Sequence, residues 1–482
     1  MNYKLVFRVL GLILRVEAAL MLPATVMAFA TGDGDGKAFL FSVLITFLIG
    51  QSLCLLPAKG VKMQARDGFA AVSLSWIVLS MCGALPYFFS GVIPNYIDAV
   101  FEAVSGFTTT GATVLSFMEG QPRAIMFWRA QTQWLGGMGV LVLALALIPK
   151  LGEGSVYLMR AESPGPIKSK LTPRLADTAK ILYFIYIGLT AAEALCLRIA
   201  GMSWYDAVTH AFTSISTGGF SVKNASIAAS ESLLIEWIIT IFCFLSGVNF
   251  SLLYYALLRN FKAVLGSEEL RSYALVTLFG SALIVLSLVV QGGWQFNIRT
   301  VTDAVFQVVT LMTTTGYMTS NFVLWPAFAQ MILVLVMFSG GCAGSTSGGL
   351  KQIRVILLLK NLRREVLRIL RPRQVIIIKS DGDRVEEATL SGITLFFFAY
   401  IFILLLGMLV VSWDNVGLEA ALGASLTCIS NVGPGLGILG PTANFSILSS
   451  FSKLVLSMSM LLGRLEIMPL LLLLFPDLWK RR

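Results

Sequence analysis

Apolar residues fill long uninterrupted runs along this 482-residue chain, and polar positions collect in the gaps between them. Ten runs reach the length of about 20 residues that an α-helix needs to cross roughly 30 Å of hydrocarbon. They lie near 6–29, 39–56, 68–90, 126–148, 180–200, 233–258, 272–291, 326–358, 391–413 and 449–476. Each is read as a membrane span. The first carries Arg15 and Glu17 and is the least regular. A cleaved signal peptide is its rival reading, but the apolar stretch is too long and no small-x-small cleavage site opens a soluble domain after it.

Four of the gaps say nearly the same thing. Phe-Thr-Thr-Thr-Gly-Ala stands at 107–112, Ile-Ser-Thr-Gly-Gly-Phe at 215–220, Met-Thr-Thr-Thr-Gly-Tyr at 312–317 and Ile-Ser-Asn-Val-Gly-Pro at 429–434. In the first three the glycine follows an Asp-Ala-Val by thirteen residues, counted from Asp98, Asp206 and Asp303 to Gly111, Gly219 and Gly316; the fourth, Glu419-Ala-Ala to Gly433, is one residue longer. The stretches between acid and glycine are too short to cross the bilayer, so they must dip in and return. The acid near each start suits the positive end of a helix dipole and is expected to serve as an N-cap. The unit is therefore helix, half-helix, glycine loop, helix, present four times after a leading pair of spans, the arrangement a pore with approximate fourfold symmetry needs.

Composition agrees with an all-α integral membrane protein: 56% of residues are apolar, 13% are charged and the mean hydropathy is +0.81, whereas soluble chains carry about a quarter charged residues. The net charge of +10 is unevenly placed. Bases crowd 351–384, the stretch after span 2 (Lys59, Lys62, Arg66) and the stretch from Lys150 to Lys180 after span 4, so these connections and both termini are expected on the cytoplasmic side. The glycine segments then face outward. The basic stretch at 351–384 is read as a surface for lipid headgroups or a cytosolic partner rather than for nucleic acid. Six cysteines without paired spacing read as packing residues, and the single histidine, His210, as helix packing or capping. Gly435-Leu-Gly437-Ile-Leu-Gly440 matches a dinucleotide fingerprint by letter, but no soluble βαβ unit surrounds it.

A cation crossing the bilayer must lose its water, and backbone carbonyls turned toward an axis can replace that shell. Glycine permits the unusual φ this requires, and the threonines before it can add oxygen ligands or brace the loop. Span 8 is interrupted by Gly340, Gly341, Cys342, Ala343, Gly344, Ser345, Thr346, Ser347, Gly348 and Gly349, a stretch helices tolerate poorly. Non-helical backbone at membrane depth survives where protein or a water-filled cavity satisfies it, so this loop is expected to line the pore. Arg464, deep in span 10, should face a cavity or a partner; Glu466 points to another face, and Asn249 and Glu193 are candidates for helix–helix hydrogen bonds.

These segments resemble the TrkH/TrkG branch of the Trk/Ktr/HKT potassium transporters, as do Trp134-Leu-Gly-Gly-Met-Gly139, Pro164-Gly-Pro166 and Gly463-Arg464-Leu-Glu466. The resemblance covers the whole chain. It implies four helix–pore loop–helix repeats in pseudo-fourfold arrangement, with units at 1–66 (leading pair), 67–150, 175–262, 270–360, 361–388 (basic connection) and 389–482. It also implies potassium uptake through a channel-like pore. The selectivity filter would comprise Thr109, Thr110, Gly111, Thr217, Gly218, Gly219, Thr314, Thr315, Gly316, Asn431, Val432 and Gly433. K+ would sit against Thr110, Gly111, Gly218, Gly219, Thr315, Gly316, Val432 and Gly433. Gly340–Gly349 would form the gate. Arg464 is read from its depth in span 10 as an electrostatic barrier beneath the filter near that loop, with a purely structural ion pair as the alternative. No organic cofactor is expected; the partners implied are a cytosolic TrkA-type nucleotide-binding ring and a second copy of the chain, in a bacterial inner membrane. A cation-coupled symporter is the alternative, and an enzyme is not expected.

Overall fold

Helices occupy the apolar runs, but several of those runs are broken where small residues stand. The computed structural model describes residues 1–56, 64–139 and 175–479. The bases at 59–62 and 150–174, the second half of the span expected over 126–148, the Pro164–Pro166 motif and the terminal Lys480–Arg482 lie outside these residues. The leading helices are α1 (Tyr3–Leu20), α2 (Leu22–Thr31) and α3 (Gly36–Cys54). α1 packs against α3 across two glycines, so closely that a Cβ on Gly11 would lie 2.6 Å from the Gly50 carbonyl oxygen.

Unit one follows with α4 (Ala65–Gly83), the short α5 (Tyr96–Phe107) and α6 (Arg123–Gly137); unit two has α7 (Leu175–Ile199), short α8 (Trp204–Ile215), α9 (Leu233–Ser246) and α10 (Phe250–Leu257). Unit three has α11 (Glu268–Val290), short α12 (Ile298–Met312), α13 (Ala327–Ser339) and α14 (Gln352–Leu370); unit four has α15 (Glu387–Ser412), short α16 (Leu418–Ser430), α17 (Ser450–Arg464) and α18 (Met468–Leu472). A two-residue hairpin, Lys379–Ser380 with Asp383–Arg384, connects units three and four.

The short helices start as their caps dictate, and the caps are not the acids. Asn95 accepts from Ile97 N at 2.9 Å, Ser203 from Asp206 N at 3.1 Å and Asn297 from Thr300 N at 2.9 Å. Asp98 and Asp206 stand in the first turn, where the dipole favours them, as does Glu419; Asp303 is a further turn along and bonds Arg299 and Thr319 instead.

The helices that follow the glycine segments all stop early. α6, α9, α13 and α17 hold 15, 14, 13 and 15 residues, roughly 20 Å at 1.5 Å rise, and so do not cross the hydrocarbon alone. Each ends at small residues: Gly136-Gly137, Ser246-Gly247, Ser339-Gly340 and Gly463 before Arg464. The uninterrupted spans expected over 233–258 and 449–476 are therefore corrected. The first is the pair α9–α10, bent by 102°; the second breaks at Glu466 and Ile467, whose φ values are 56° and 62°. Among the described residues five helices are long and apolar enough to cross a membrane, six with the bent pair counted as one.

Burial sorts the elements into an inner and an outer layer. The short helices are buried along most of their length, whereas α3, α7, α11 and α15 expose Phe41, Phe184, Phe279 and Phe402 at their outer faces. Apolar outer faces of this extent belong against lipid.

Candidate functional site

The four glycine segments meet head to side in a closed ring. Each follows its short helix with the same backbone turn: Thr110 N donates to Ser105 O (2.9 Å), Gly218 N to Thr213 O (2.8 Å), Thr315 N to Thr310 O (2.7 Å) and Val432 N to Thr427 O (2.9 Å). In each, φ is positive at the residue two before the glycine and at the glycine itself. The values are 56° and 85° at Thr109 and Gly111, 55° and 75° at Thr217 and Gly219, 60° and 78° at Thr314 and Gly316, and 56° and 109° at Asn431 and Gly433. Glycine is needed at the second position because the neighbouring unit leaves no room. A Cβ on Gly111 would strike the Gly218 carbonyl, one on Gly219 that of Thr315 and one on Gly316 that of Val432. One on Gly433 would lie 2.8 Å from Thr110 O, which closes the circuit.

Side chains brace this ring from behind. The Thr110 and Thr315 hydroxyls lie 2.8 Å from those of Thr108 and Thr313, and Thr217 Oγ1 donates to Ser216 O. Asn431 replaces a threonine in unit four and reaches across: its Nδ2 donates to Thr110 Oγ1 and to Met460 O, both at 2.9 Å. The irregular fourth segment is thus tied to the first. These hydrogen bonds brace the segments and leave each hydroxyl oxygen a further lone pair.

Three supports escape a reading by repeats. Gln133 clamps segment two, donating through Nε2 to Gly218 O (2.7 Å) and accepting from Phe220 N (3.0 Å). Arg129, 2% exposed, pairs with the fully buried Glu102 at 2.6 Å, and Glu102 accepts from Val114 N just past the ring. Lys453 pairs with Asp98 at 2.9 Å. The signal was available: Arg129, Gln133 and Lys453 are polar residues inside apolar runs, which need a partner at that depth.

Directly against the ring lies Gly340–Gly349. Gly348 N donates to Thr314 Oγ1 (2.7 Å) and Gly349 N to Ser430 O (2.9 Å), while the Thr346 hydroxyl reaches Ile215 O (3.1 Å) and Ser246 O (3.2 Å) at the ends of α8 and α9. Cys342 N donates to Gly247 O at 2.9 Å, so the break in unit two and the loop of unit three satisfy each other's backbone. Arg464 joins the loop to unit one. Its guanidinium donates to Thr346 O (3.0 Å), Gly136 O (2.5 Å), Gly137 O (2.7 Å) and, at 3.4 Å, Thr109 Oγ1. A cavity of about 120 Å³ adjoins the loop, lined by Ser347, Asn431, Lys351, Arg354, Arg464 and Glu466 among others. Glu466 pairs with Arg354 at 2.6 Å, which leaves the cavity's charged lining with an excess of cations.

The minor candidates fall out simply. Glu193 accepts from Ser214 Oγ at 2.6 Å and ties α7 to α8, whereas Asn249 caps its own helix through Ser251 N. His210 Nδ1 lies 2.8 Å from Asp206 O and Nε2 3.3 Å from Ser221 Oγ, a packing role. The cysteines are all free, and the described residues hold no group of three or more potential metal ligands from histidine, cysteine and the acids.

Residues 35–480 match the TrkH family, described as cation transport protein. The chain is 39% identical over 487 residues to the Trk system potassium uptake protein TrkH of Escherichia coli K12, with all of both chains covered. It is 33% identical to the Trk system potassium uptake protein TrkG of the same strain, covering 99% of each. Its fold is similar to the crystal structure of the potassium transporter TrkH from Vibrio parahaemolyticus, with a TM-score of 0.88 at 34% identity over the full length of both.

Proposed function

Because this chain belongs to the TrkH family of cation transport proteins, we propose that it takes up potassium across a bacterial membrane. The reading extends to mechanism: a channel-like pore runs through the ring, the glycine segments strip and select the ion, and Gly340–Gly349 is the gate. One observation carries it. Four segments of one chain form a closed circuit of backbone, each glycine packed on the carbonyl of the next unit. Carbonyl groups gathered around an axis are what replace the hydration shell of a monovalent cation. The cationic cavity under the loop adds a barrier to cations while the loop is in place.

In this reading each of the units expected from the sequence contributes one quadrant of the pore, both termini are cytoplasmic and the membrane is the inner one. A nucleotide-binding cytosolic ring and a second copy of the chain are the partners. The symporter alternative draws on one feature: Glu17 in α1 is 1% exposed, and neither carboxylate oxygen has a hydrogen-bond partner among the described residues. An ionisable residue at membrane depth is a candidate for ion coupling. Flux that follows an imposed pH gradient would favour coupling, and flux that follows the potassium gradient alone favours the pore.

The ring is tested with Gly111→Ser. The new side chain must displace the Gly218 carbonyl, so reconstituted protein should fold but lose discrimination between potassium and sodium. An unchanged flux ratio in folded protein would remove Gly111 from the filter.

A further inference from the structure

α14 begins badly for a helix. Its N-cap is Lys351, which offers no side-chain hydrogen bond to the first turn and puts a buried cation at the positive end of the dipole. The first N–H groups of a helix need acceptors from somewhere. Here the acceptor comes from another helix: Glu269, in the first turn of α11, accepts through Oε1 from Ile353 N at 3.1 Å.

The same oxygen accepts from Ala343 N at 2.7 Å. One carboxylate atom thus joins the first half of the glycine loop, at Ala343, to the first turn of α14, into which the loop runs. Glu269 is 7% exposed, and together with Ala343 and Ile353 it lines a second cavity of about 800 Å³. Lys351 Nζ donates to Ser347 O, which folds the loop back on its own exit. The ring holds the loop at Gly348 and Gly349 and Arg464 holds it at Thr346, whereas Glu269 ties Ala343 to the start of α14.

We propose that Glu269 is a positioning residue of the gate, a carboxylate clasp that keeps the loop seated against the ring. The proposal rests on the reading of Gly340–Gly349 as the gate. For the loop to leave, Ala343 N and Ile353 N must give up one shared acceptor, so the clasp makes loop and helix start move as one. Geometry carries the proposal, because one acceptor atom serves an N–H of the loop and an N–H of the following helix start.

Cys342, fully buried and next to Ala343, reports on the clasp directly. In full-length protein whose other five cysteines are replaced, labelling by a membrane-impermeant thiol reagent and potassium flux into vesicles are measured without any partner. Glu269→Ala should raise both on the order of tenfold or more, the factor that loss of two buried hydrogen bonds carries. Glu269→Gln keeps an acceptor oxygen without the charge and should raise them less. Cys428, kept alone in a parallel background, should stay unlabelled, which separates release of the loop from general loosening. If Glu269→Ala does not fold, Glu269→Asp draws the oxygen back by one methylene and should give the same rise. Wild-type labelling and flux in Glu269→Ala, alongside raised flux in Arg464→Ala, would overturn the clasp and leave the gate standing. No rise in either variant overturns the gate itself, and equal labelling of Cys428 overturns the local action of Glu269.

Discussion

The ring and the loop beneath it are both glycine-rich, buried and non-helical, yet they are held by different means. In the ring each glycine lies against backbone of the next unit, and each segment is fixed by the same hydrogen bond back into its own helix. Releasing one segment means moving its neighbours. The loop hangs on separable bonds, several of which end in a side chain from another helix: Arg464 of unit four to Thr346 O, and Glu269 of the loop's own unit to Ala343 N and Ile353 N. The contrast is one between mutual packing, which fixes a geometry, and a few strong detachable contacts, which can hold two arrangements.

The largest effect that follows falls on the ring. Gly316 has φ 78°, and a Cβ there would meet the Val432 carbonyl and, at 2.6 Å, Pro434 Cδ. Gly316→Ala combines a left-handed residue, about 1–2 kcal/mol, with overpacking of about 1–3 kcal/mol. Thermal unfolding of purified protein should shift downward accordingly and potassium flux should collapse. Flux and stability like those of the wild type would mean that the ring tolerates side chains and is not held by mutual packing.

Next in size is the loop's link to unit one. Arg464→Ala removes charge-assisted bonds, each worth about 1.5–3 kcal/mol, so partner-free flux should rise on the order of tenfold or more. Deleting Ser345–Ser347 disables the same barrier, so the double change should be less than additive. Multiplicative effects in vesicle flux would place Arg464 and the loop on separate barriers and blunt the comparison.

The ring was legible because its signal is local: a hydroxyl, a glycine and an acid before it, at the same distance in three segments and one residue further in the fourth. The breaks in α9–α10 and at the end of α17 were not, because hydropathy reports composition and is blind to backbone continuity. Ser246-Gly247 and Gly463 stood in plain view within apolar runs and mark the breaks as surely as Gly340-Gly341 does. The caps differ from the expected acids for a related reason. Asp98 and Asp206 recur in register, whereas Asn95 and Ser203, three residues earlier, do the capping without repeating each other's letter. Gln133 stands out in its apolar run as a polar residue that needs a partner, but the partners of Gln133 and Glu269 lie about 75 to 85 residues away, at Gly218 and Ala343, and no local pattern names them.

The smallest expected effect lies at the basic surface, where packed and solvent-exposed arginines stand side by side. Arg364 is 5% exposed and bonds Glu387 and Glu365, and Arg368 bonds Glu365, so these two of the arginines on α14 are already engaged within the chain. Arg363, Arg371 and Arg373 are exposed on and just beyond the last turns of α14 and remain the better candidates to meet an acidic cytosolic partner. Exposed pairs are worth about 0.2–1 kcal/mol each, so replacing the three by glutamine should weaken co-purification with a nucleotide-binding ring only several-fold, and the loss should shrink as salt rises. Arg364→Gln should act differently: it uncouples α14 from the start of α15, so the protein should lose thermal stability with partner binding unchanged. If the triple variant binds at both low and high salt as the wild type does, these arginines serve lipid headgroups, and the partner docks on another face.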